Sequence, residues 1–204
     1  MKKIKKFVYL ISPVKINNKK FLETLDLVFK TKRISFFQLR LKEQNTKKIV
    51  NIGKKIKKLC NKNRVKLIVN DDPMLAKKIN SDGCHIGQSD STVLNARKII
   101  NKKIIGVTCH NSKKLIKKAI KEKVDYIAIG SFYTSKTKKT KFKANIKLLK
   151  AAKKMTKIPI VAIGGINLKN YKKLLLNKAN FLAISSYVWR NKKLSPVEAI
   201  RKLK

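Results

Sequence analysis

Carboxylates are scarce in this sequence, and their placement points to chemistry. Asp and Glu number 10 among 204 residues, against 53 Lys and Arg, for a net charge of +43. Even so, Asp71 and Asp72 close one apolar run and Asp90 follows the next. Magnesium takes hard oxygen ligands, is usually held by one or two carboxylates, and completes its shell with water and substrate phosphate oxygens. Asp71, with Asn70 beside it, and Asp90 suit that role. Asp72 precedes Pro73 and reads instead as the cap of a helix.

Cationic groups accompany these acids. The stretch "QLRLK" (38–42) alternates polar and apolar residues, which places Gln38, Arg40 and Lys42 on one face of a strand. Arg40, through its planar fork, and Lys42, as a point charge, are suited to converge on a phosphate. Lys138, in the loop beyond the sixth apolar run, is a third such cation. An arbitrary lysine in so basic a chain is a solvated surface charge; Lys42 and Lys138 stand apart because their motifs place them where strands end.

Eight short apolar runs must position these groups: "FVYLIS" (7–12), "ISFFQLRL" (34–41), "KLIVND" (66–71), "GCHIG" (83–87), "IIGVTC" (104–109), "YIAIGS" (126–131), "IPIVAIGG" (158–165) and "FLAISS" (181–186). Between them lie lysine-rich stretches with apolar residues at helical spacing, such as Leu115, Ile116, Ala119 and Ile120. Continuous apolar strands alternating with amphipathic helices predict an α/β fold, a single (β/α)8 TIM barrel of parallel strands over residues 1–204. A doubly wound open sheet is the alternative. In a barrel the active site lies at the carboxyl ends of the strands. Of seven glycines, Gly87, Gly106, Gly130, Gly164 and Gly165 fall in or just after strand segments, where a missing side chain is expected to let backbone approach a ligand.

The charge raises nucleic acid or an anionic membrane as partners. Lysine pairs, however, recur from Lys2-Lys3 to Lys192-Lys193 without gathering into a basic tail, as solvated helix faces do. No apolar run reaches the 18 or so residues of a membrane helix. The N-terminal "MKKIKKFVYLISPV" imitates a signal peptide, but it lacks a small-residue cleavage site and Pro13 ends its apolar run, so it reads as the first core strand. Cys60, Cys84 and Cys109 show no CxxC spacing and suggest reduced thiols in a soluble, cytoplasmic protein.

Taken in order, "QLRLK", "ND" (70–71), "HIGQSD" (85–90), "GVTCHN" (106–111), "SKTKK" (135–139) and "IGGI" (163–166) resemble the thiamine phosphate synthase family. The resemblance runs from "VYLISP" to "AISS". It implies a magnesium-dependent transferase that condenses 4-amino-2-methyl-5-pyrimidinylmethyl diphosphate with 4-methyl-5-(2-hydroxyethyl)thiazole phosphate, giving thiamine phosphate and diphosphate. By motif, Gln38, Arg40, Lys42, Asn70, Thr108 and Lys138 would hold the pyrimidine diphosphate, with Arg40, Lys42 and Lys138 as the catalytic cations. Asp71 and Asp90 would bind the metal, and Ser135, Thr137, Gly165, Ile184 and Ser185 the thiazole phosphate. No Ser-His-Asp or Cys-His arrangement competes with this reading, and His85 and His110 read as hydrogen-bonded structural histidines.

The chain departs from the family at several points. Leu41 replaces a common Glu and should face away from the cations; Thr108 stands where Ser is usual, and Ser135 where Thr is commoner. "NKANFLAISS" lacks the usual Asp-Gly before the eighth strand, leaving Asn180 and Phe181, a departure expected to bear on the thiazole phosphate site more than on the diphosphate site. The nearest alternative is a thiazole tautomerase-like or regulatory paralogue, which has no need of Asn70, Asp71, Asp90, Lys42 and Lys138 together. A basic nucleic-acid-binding barrel is a third reading, without a recognised nucleic-acid motif to support it. The partners implied are small anionic substrates, with no membrane, and a homo-oligomer is left open.

Overall fold

The computed structural model of the protein describes residues 6–16, 18–41, 44–134 and 141–204. The eight apolar runs all form strands: β1 (Val8–Ile11), β2 (Ile34–Leu39), β3 (Lys66–Asn70), β4 (Gly83–Ile86), β5 (Ile104–His110), β6 (Tyr126–Gly130), β7 (Ile160–Ile163) and β8 (Phe181–Ile184). They pair in parallel in sequence order, and β8 returns to β1, closing the barrel. The (β/α)8 expectation holds and the open sheet does not. The first strand pairs with both β2 and β8, so "VYLI" is built into the sheet.

The connecting helices are α1 (Asn18–Lys30), α2 (Thr46–Lys62), α3 (Pro73–Ile79), α4 (Val93–Ile100), α5 (Lys113–Lys121), α6 (Ile146–Met155), α7 (Tyr171–Leu176), α8 (Ser186–Trp189) and α9 (Pro196–Lys202). Local chemistry starts most of them. Asn45, Asp72, Thr92, Ser112, Asn145 and Ser195 each accept a hydrogen bond from the backbone N–H three residues on, a cap worth about 1 kcal/mol. In α5, "KKLIKKAIK", Ile116 and Ala119 are buried while the lysines alternate around them, so the basic residues form the solvated face. Among the described residues, no helix is long and apolar enough to cross a membrane.

Strand alternation divides the apolar residues into two cores. Outward-facing residues, such as Val8, Leu10, Leu39, Leu67, Cys84, Val107, Ile127, Ile160 and Leu182, pack against the helices. Inward-facing Tyr9, Ile68, Tyr126, Ala128, Val161 and Ala183 fill the barrel with Phe36 and Phe181, whose rings meet edge-on at 5.0 Å. Gly106 makes that filling feasible, because a Cβ there would lie 1.9 Å from Cζ of Tyr126. Gly130 likewise yields to Ile163. The expectation that these glycines admit a ligand is thereby corrected: protein atoms occupy the space.

A repeated bracket ties the amino-terminal end of the barrel. The residue before β4, β6 and β8 donates its N–H to the carbonyl of a residue starting the preceding strand, and its side chain accepts the N–H of that same residue. Asp82 does so with Leu67 (2.8 and 2.8 Å), Asp125 with Ile105 (2.8 and 2.8 Å), and Asn180 with Ile160 (2.9 and 3.0 Å). Asn180 therefore keeps the acceptor that an Asp would supply, and it sits at the end opposite the strand exits. The expected effect of this departure on the thiazole phosphate site is corrected accordingly.

Asp82 also receives Lys57 Nζ at 2.6 Å, with both side chains largely buried. Desolvation opposes its charge, but the Lys57 hydrogen bond and the Leu67 N–H outweigh it and hold the carboxyl below the usual carboxylate range. A depressed folded value contributes stability above the unfolded value and loses it as pH falls through the folded one. Asp82→Ala should lower unfolding free energy by about 2–4 kcal/mol at neutral pH, since it strands both the Leu67 N–H and the Lys57 ammonium. Urea denaturation at pH 7 and below pH about 4 checks this: the gap between wild type and variant should narrow in acid.

Candidate active site

The carboxyl ends of the strands share one face of the closed barrel, and the described residues among those expected to do chemistry lie in or just past those strand ends. On β2 the alternation in "QLRLK" is realised: Leu39 and Leu41 are buried in the outer core, while Gln38 is 3% exposed on the inner parity and Arg40 follows at the rim. Leu41, in place of a Glu, is thus a packing residue. Ser12, just past β1, fixes the exit of β2 by donating its N–H to the Gln38 carbonyl (2.9 Å). Its hydroxyl donates to the Arg40 carbonyl (3.2 Å) and accepts the Arg40 N–H (3.0 Å).

At the next exits, Asn70 ends β3 and pairs with His85 of β4. Asp71 takes a left-handed conformation (φ 66°), and its N–H donates to the His85 carbonyl at 2.7 Å, so the turn holds this residue against the adjacent strand. Asp72 then caps α3, accepting from Leu75 N at 2.9 Å, as its place before Pro73 suggested. Asp90 is exposed and its Oδ2 accepts the Gly87 N–H at 2.8 Å. A Cβ on Gly87 would stand 2.5 Å from that oxygen, so glycine is what lets the carboxylate lie along the backbone.

These exits carry oxygen donors of the kind that magnesium takes. Burial pushes the Cys84 thiol up, and the charges of Asp72, Asp71 and Asp90 push it in the same direction. The thiol stays protonated, leaving oxygen as the donor element. Among the described residues no three His, Cys, Asp or Glu side chains gather into a cage of their own. Two carboxylates leaving positions for water and phosphate match magnesium better than zinc, which is normally enclosed by three or four protein ligands.

A hydrogen-bonded file of side chains runs through the barrel interior toward this face. Tyr9 and Tyr126 hydroxyls lie 2.8 Å apart, the Tyr126 hydroxyl lies 2.8 Å from His85 Nδ1, and His85 Nε2 lies 2.8 Å from Thr108 Oγ1. Gln38 stands beside Tyr9 as a further hydrogen-bond partner. Burial lowers His85 to about 4, partly opposed by Asp90, so the imidazole is neutral; burial raises both tyrosines. Sequence reasoning read His85 as a hydrogen-bonded structural histidine, as it proves to be, but missed Tyr9, Tyr126 and Ser12. The signal for the tyrosines was parity: each lies two residues before an inward-facing position of a strand whose other inward residues are small or apolar.

On the far side of the mouth, Gly164 and Gly165 follow β7 with positive φ (108° and 60°). Tyr133 and Phe132 N–H groups donate to the Gly164 and Ile163 carbonyls, and Thr134 lies over Gly165. Ser131 donates its N–H to the Phe142 carbonyl and accepts the Ala144 N–H, and Phe142 stacks on His110 with ring centroids 4.1 Å apart. The segments flanking residues 135–140 are therefore both fixed at this face. Lys42, Ser135, Thr137 and Lys138 themselves lie outside the described residues. After β8, Ser185 donates its hydroxyl to the Ser12 carbonyl (3.3 Å), whereas the Ile184 side chain is buried in the outer core and offers a ligand only its backbone. Trp189 donates Nε1–H to the Ile11 carbonyl at 2.7 Å and packs on Phe21 beneath the same end.

Comparison with known proteins agrees with this arrangement. Residues 8–188 match the family described as thiamine monophosphate synthase. The chain is 63% identical over 200 residues to the thiamine-phosphate synthase of Pelagibacter ubique, covering 98% of this chain and 97% of that one. It is 34% identical to the corresponding protein of Rhodospirillum centenum, covering 95% and 93%. Among solved structures, thiamine phosphate pyrophosphorylase from Pyrococcus furiosus superposes with a TM-score of 0.86 at 25% identity, covering 98% and 94%.

The contact between Gly106 and Tyr126 gives a direct test of the interior file. Gly106→Ala should displace the Tyr126 ring, separate it from His85 and cost about 2–3 kcal/mol of stability through overpacking. Near-ultraviolet circular dichroism and thermal unfolding read both effects; an unchanged melting temperature would mean that the ring does not rest where the geometry puts it.

Proposed function

The chain belongs to the thiamine monophosphate synthase family, and from that premise we propose how its residues carry the reaction. Its activity is that of a thiamine-phosphate synthase, a transferase. The substrates are an aminopyrimidine methyl diphosphate and a hydroxyethylthiazole phosphate. The carbon–oxygen bond between the pyrimidine methylene and diphosphate breaks, the electron pair leaving with diphosphate. The thiazole nitrogen lone pair then forms the new carbon–nitrogen bond to the stabilised cation. No side-chain nucleophile or general base is required, so the work of the chain is to bind, orient and neutralise.

Arg40, Lys42 and Lys138 neutralise the charge that builds on the leaving group. Gln38, Asn70 and Thr108 orient the same substrate. Asp71 and Asp90 would hold magnesium, which when bound would supply positive charge to the departing diphosphate. Ser135, Thr137, Gly165, the Ile184 backbone and Ser185 receive the thiazole phosphate where barrels commonly bind phosphate, after strands seven and eight. What supports the reading most is the convergence, on one end of one barrel, of the exits bearing Arg40, Asp71, Asp90, Thr108, Gly165 and Ser185. The 204 residues act as one barrel unit. Three free, buried cysteines accord with a reducing, cytoplasmic setting.

Purified protein incubated with both substrates should yield thiamine phosphate by mass only when magnesium is supplied; metal-independent formation would remove the ion from the reaction. Asp90→Ala should abolish product with circular dichroism unchanged. Asp72→Ala, by contrast, should lose about 1 kcal/mol of stability as a cap while keeping turnover. Lys138→Ala should raise KM for the pyrimidine diphosphate more than for the thiazole phosphate, and the reverse pattern would exchange the two anion sites.

A further inference from the structure

The file Tyr9–Tyr126–His85–Thr108 has a direction that the bound anion sets. Each hydroxyl carries one proton, and neutral imidazole carries one N–H shared between two nitrogens. A diphosphate oxygen only accepts. Thr108, on the inner parity of β5, can meet it only by donating its hydroxyl hydrogen to the mouth. Its oxygen, 2.8 Å from His85 Nε2, must then accept from that nitrogen, since two lone pairs at this distance repel. With the imidazole proton on Nε2, Nδ1 is an acceptor, and among the described residues the donor within reach is the Tyr126 hydroxyl at 2.8 Å. Tyr126 oxygen in turn accepts from Tyr9. Tyr9, His85 and Tyr126 are each at least nine-tenths buried, so water does not supply a substitute partner from the inner end.

We propose that Tyr9, Tyr126 and His85 are positioning residues that act as a one-way relay, selecting the Nε2–H tautomer of His85 and so presenting the Thr108 hydroxyl as a donor to the leaving diphosphate. The inference rests on the reading that Thr108 meets that diphosphate. Cooperativity along such a chain makes the last hydroxyl a better donor than an isolated threonine. Inner residues far from the reacting atoms thereby acquire an effect on turnover, exerted only through Thr108.

The chain holds just two histidines, His85 and His110, so nitrogen-15 NMR can resolve and assign both. With magnesium and inorganic diphosphate as the probe, His85 should show protonated Nε2 and bare Nδ1; a protonated Nδ1 in that complex overturns the relay. If diphosphate produces no binding shift at all, the functional reading itself fails and takes this inference with it, so the two failures are distinguishable. Tyr126→Phe keeps the ring and removes the donor. It should mix the His85 tautomers and lower kcat/KM for the pyrimidine diphosphate about tenfold, the worth of one hydrogen bond to a charged group, with KM for the thiazole phosphate unchanged. Thr108→Ser should retain activity and Thr108→Val should lose it. Adding Tyr126→Phe to Thr108→Val should cost nothing more; additive losses would show that Tyr126 acts by packing alone and would overturn the proposal.

Discussion

Closing eight strands into a ring sends every second side chain into a space that water does not reach. A polar group placed there must find its partner inside, since leaving it unpaired costs about 1–3 kcal/mol. The lower interior answers with apolar and aromatic packing, Phe36 against Phe181 and Tyr9. The upper interior answers with a file in which each polar atom is satisfied by the next. Tyrosine is the residue that joins these regimes: its ring packs at the apolar level while its hydroxyl enters the polar one. Gly106 is part of the same solution, because the Tyr126 ring occupies the volume a side chain on β5 would have taken. The reactive rim is thus held from beneath by the core itself.

The face opposite the rim solves a different problem. Strand starts leave backbone N–H groups that no preceding turn satisfies, and Asp82, Asp125 and Asn180 take three of them in the same two-bond geometry. Two of these brackets recruit a cation, Lys57 or Arg97, and the third is neutral. Exchange of Asp for Asn in this position preserves the acceptor oxygen, which is why a departure that looks alarming in sequence leaves the bracket standing. Division of labour between the two ends of a barrel, stability at one and chemistry at the other, decides what such a substitution can affect.

Much of this was legible from period and punctuation. Eight apolar runs bounded by turn residues gave the strand count, and the alternation in "QLRLK" correctly separated Gln38 and Arg40 from Leu39 and Leu41. Asp72 before Pro73 announced a cap. Other features were illegible for physical reasons. Nothing local distinguishes a glycine that admits a ligand from one that admits a neighbouring ring, since both require only a missing Cβ; the distinction for Gly106 and Gly130 lies across the sheet. Tyr9 and Tyr126 are 117 residues apart, and their hydrogen bond exists only because the barrel closes. Ser12, one more serine after a strand, becomes the clasp on Arg40 through the same closure.

The charge of the chain sharpens the question of how an anion site is made. With 53 cations against 10 acids, positive potential is everywhere and cannot by itself choose a binding place. Choice requires that a few charges lose conformational freedom and gain geometry. Arg40 is held through its own backbone by Ser12, and Asp71 by a left-handed turn bonded to the neighbouring strand. The lysines on helix faces keep their freedom and their water, so they raise the local concentration of anions without orienting them. Acids are then more informative than bases in such a protein: each one retained near the rim lowers the general attraction for phosphate, and its presence there makes sense when a divalent ion converts that repulsion into a third point of attachment.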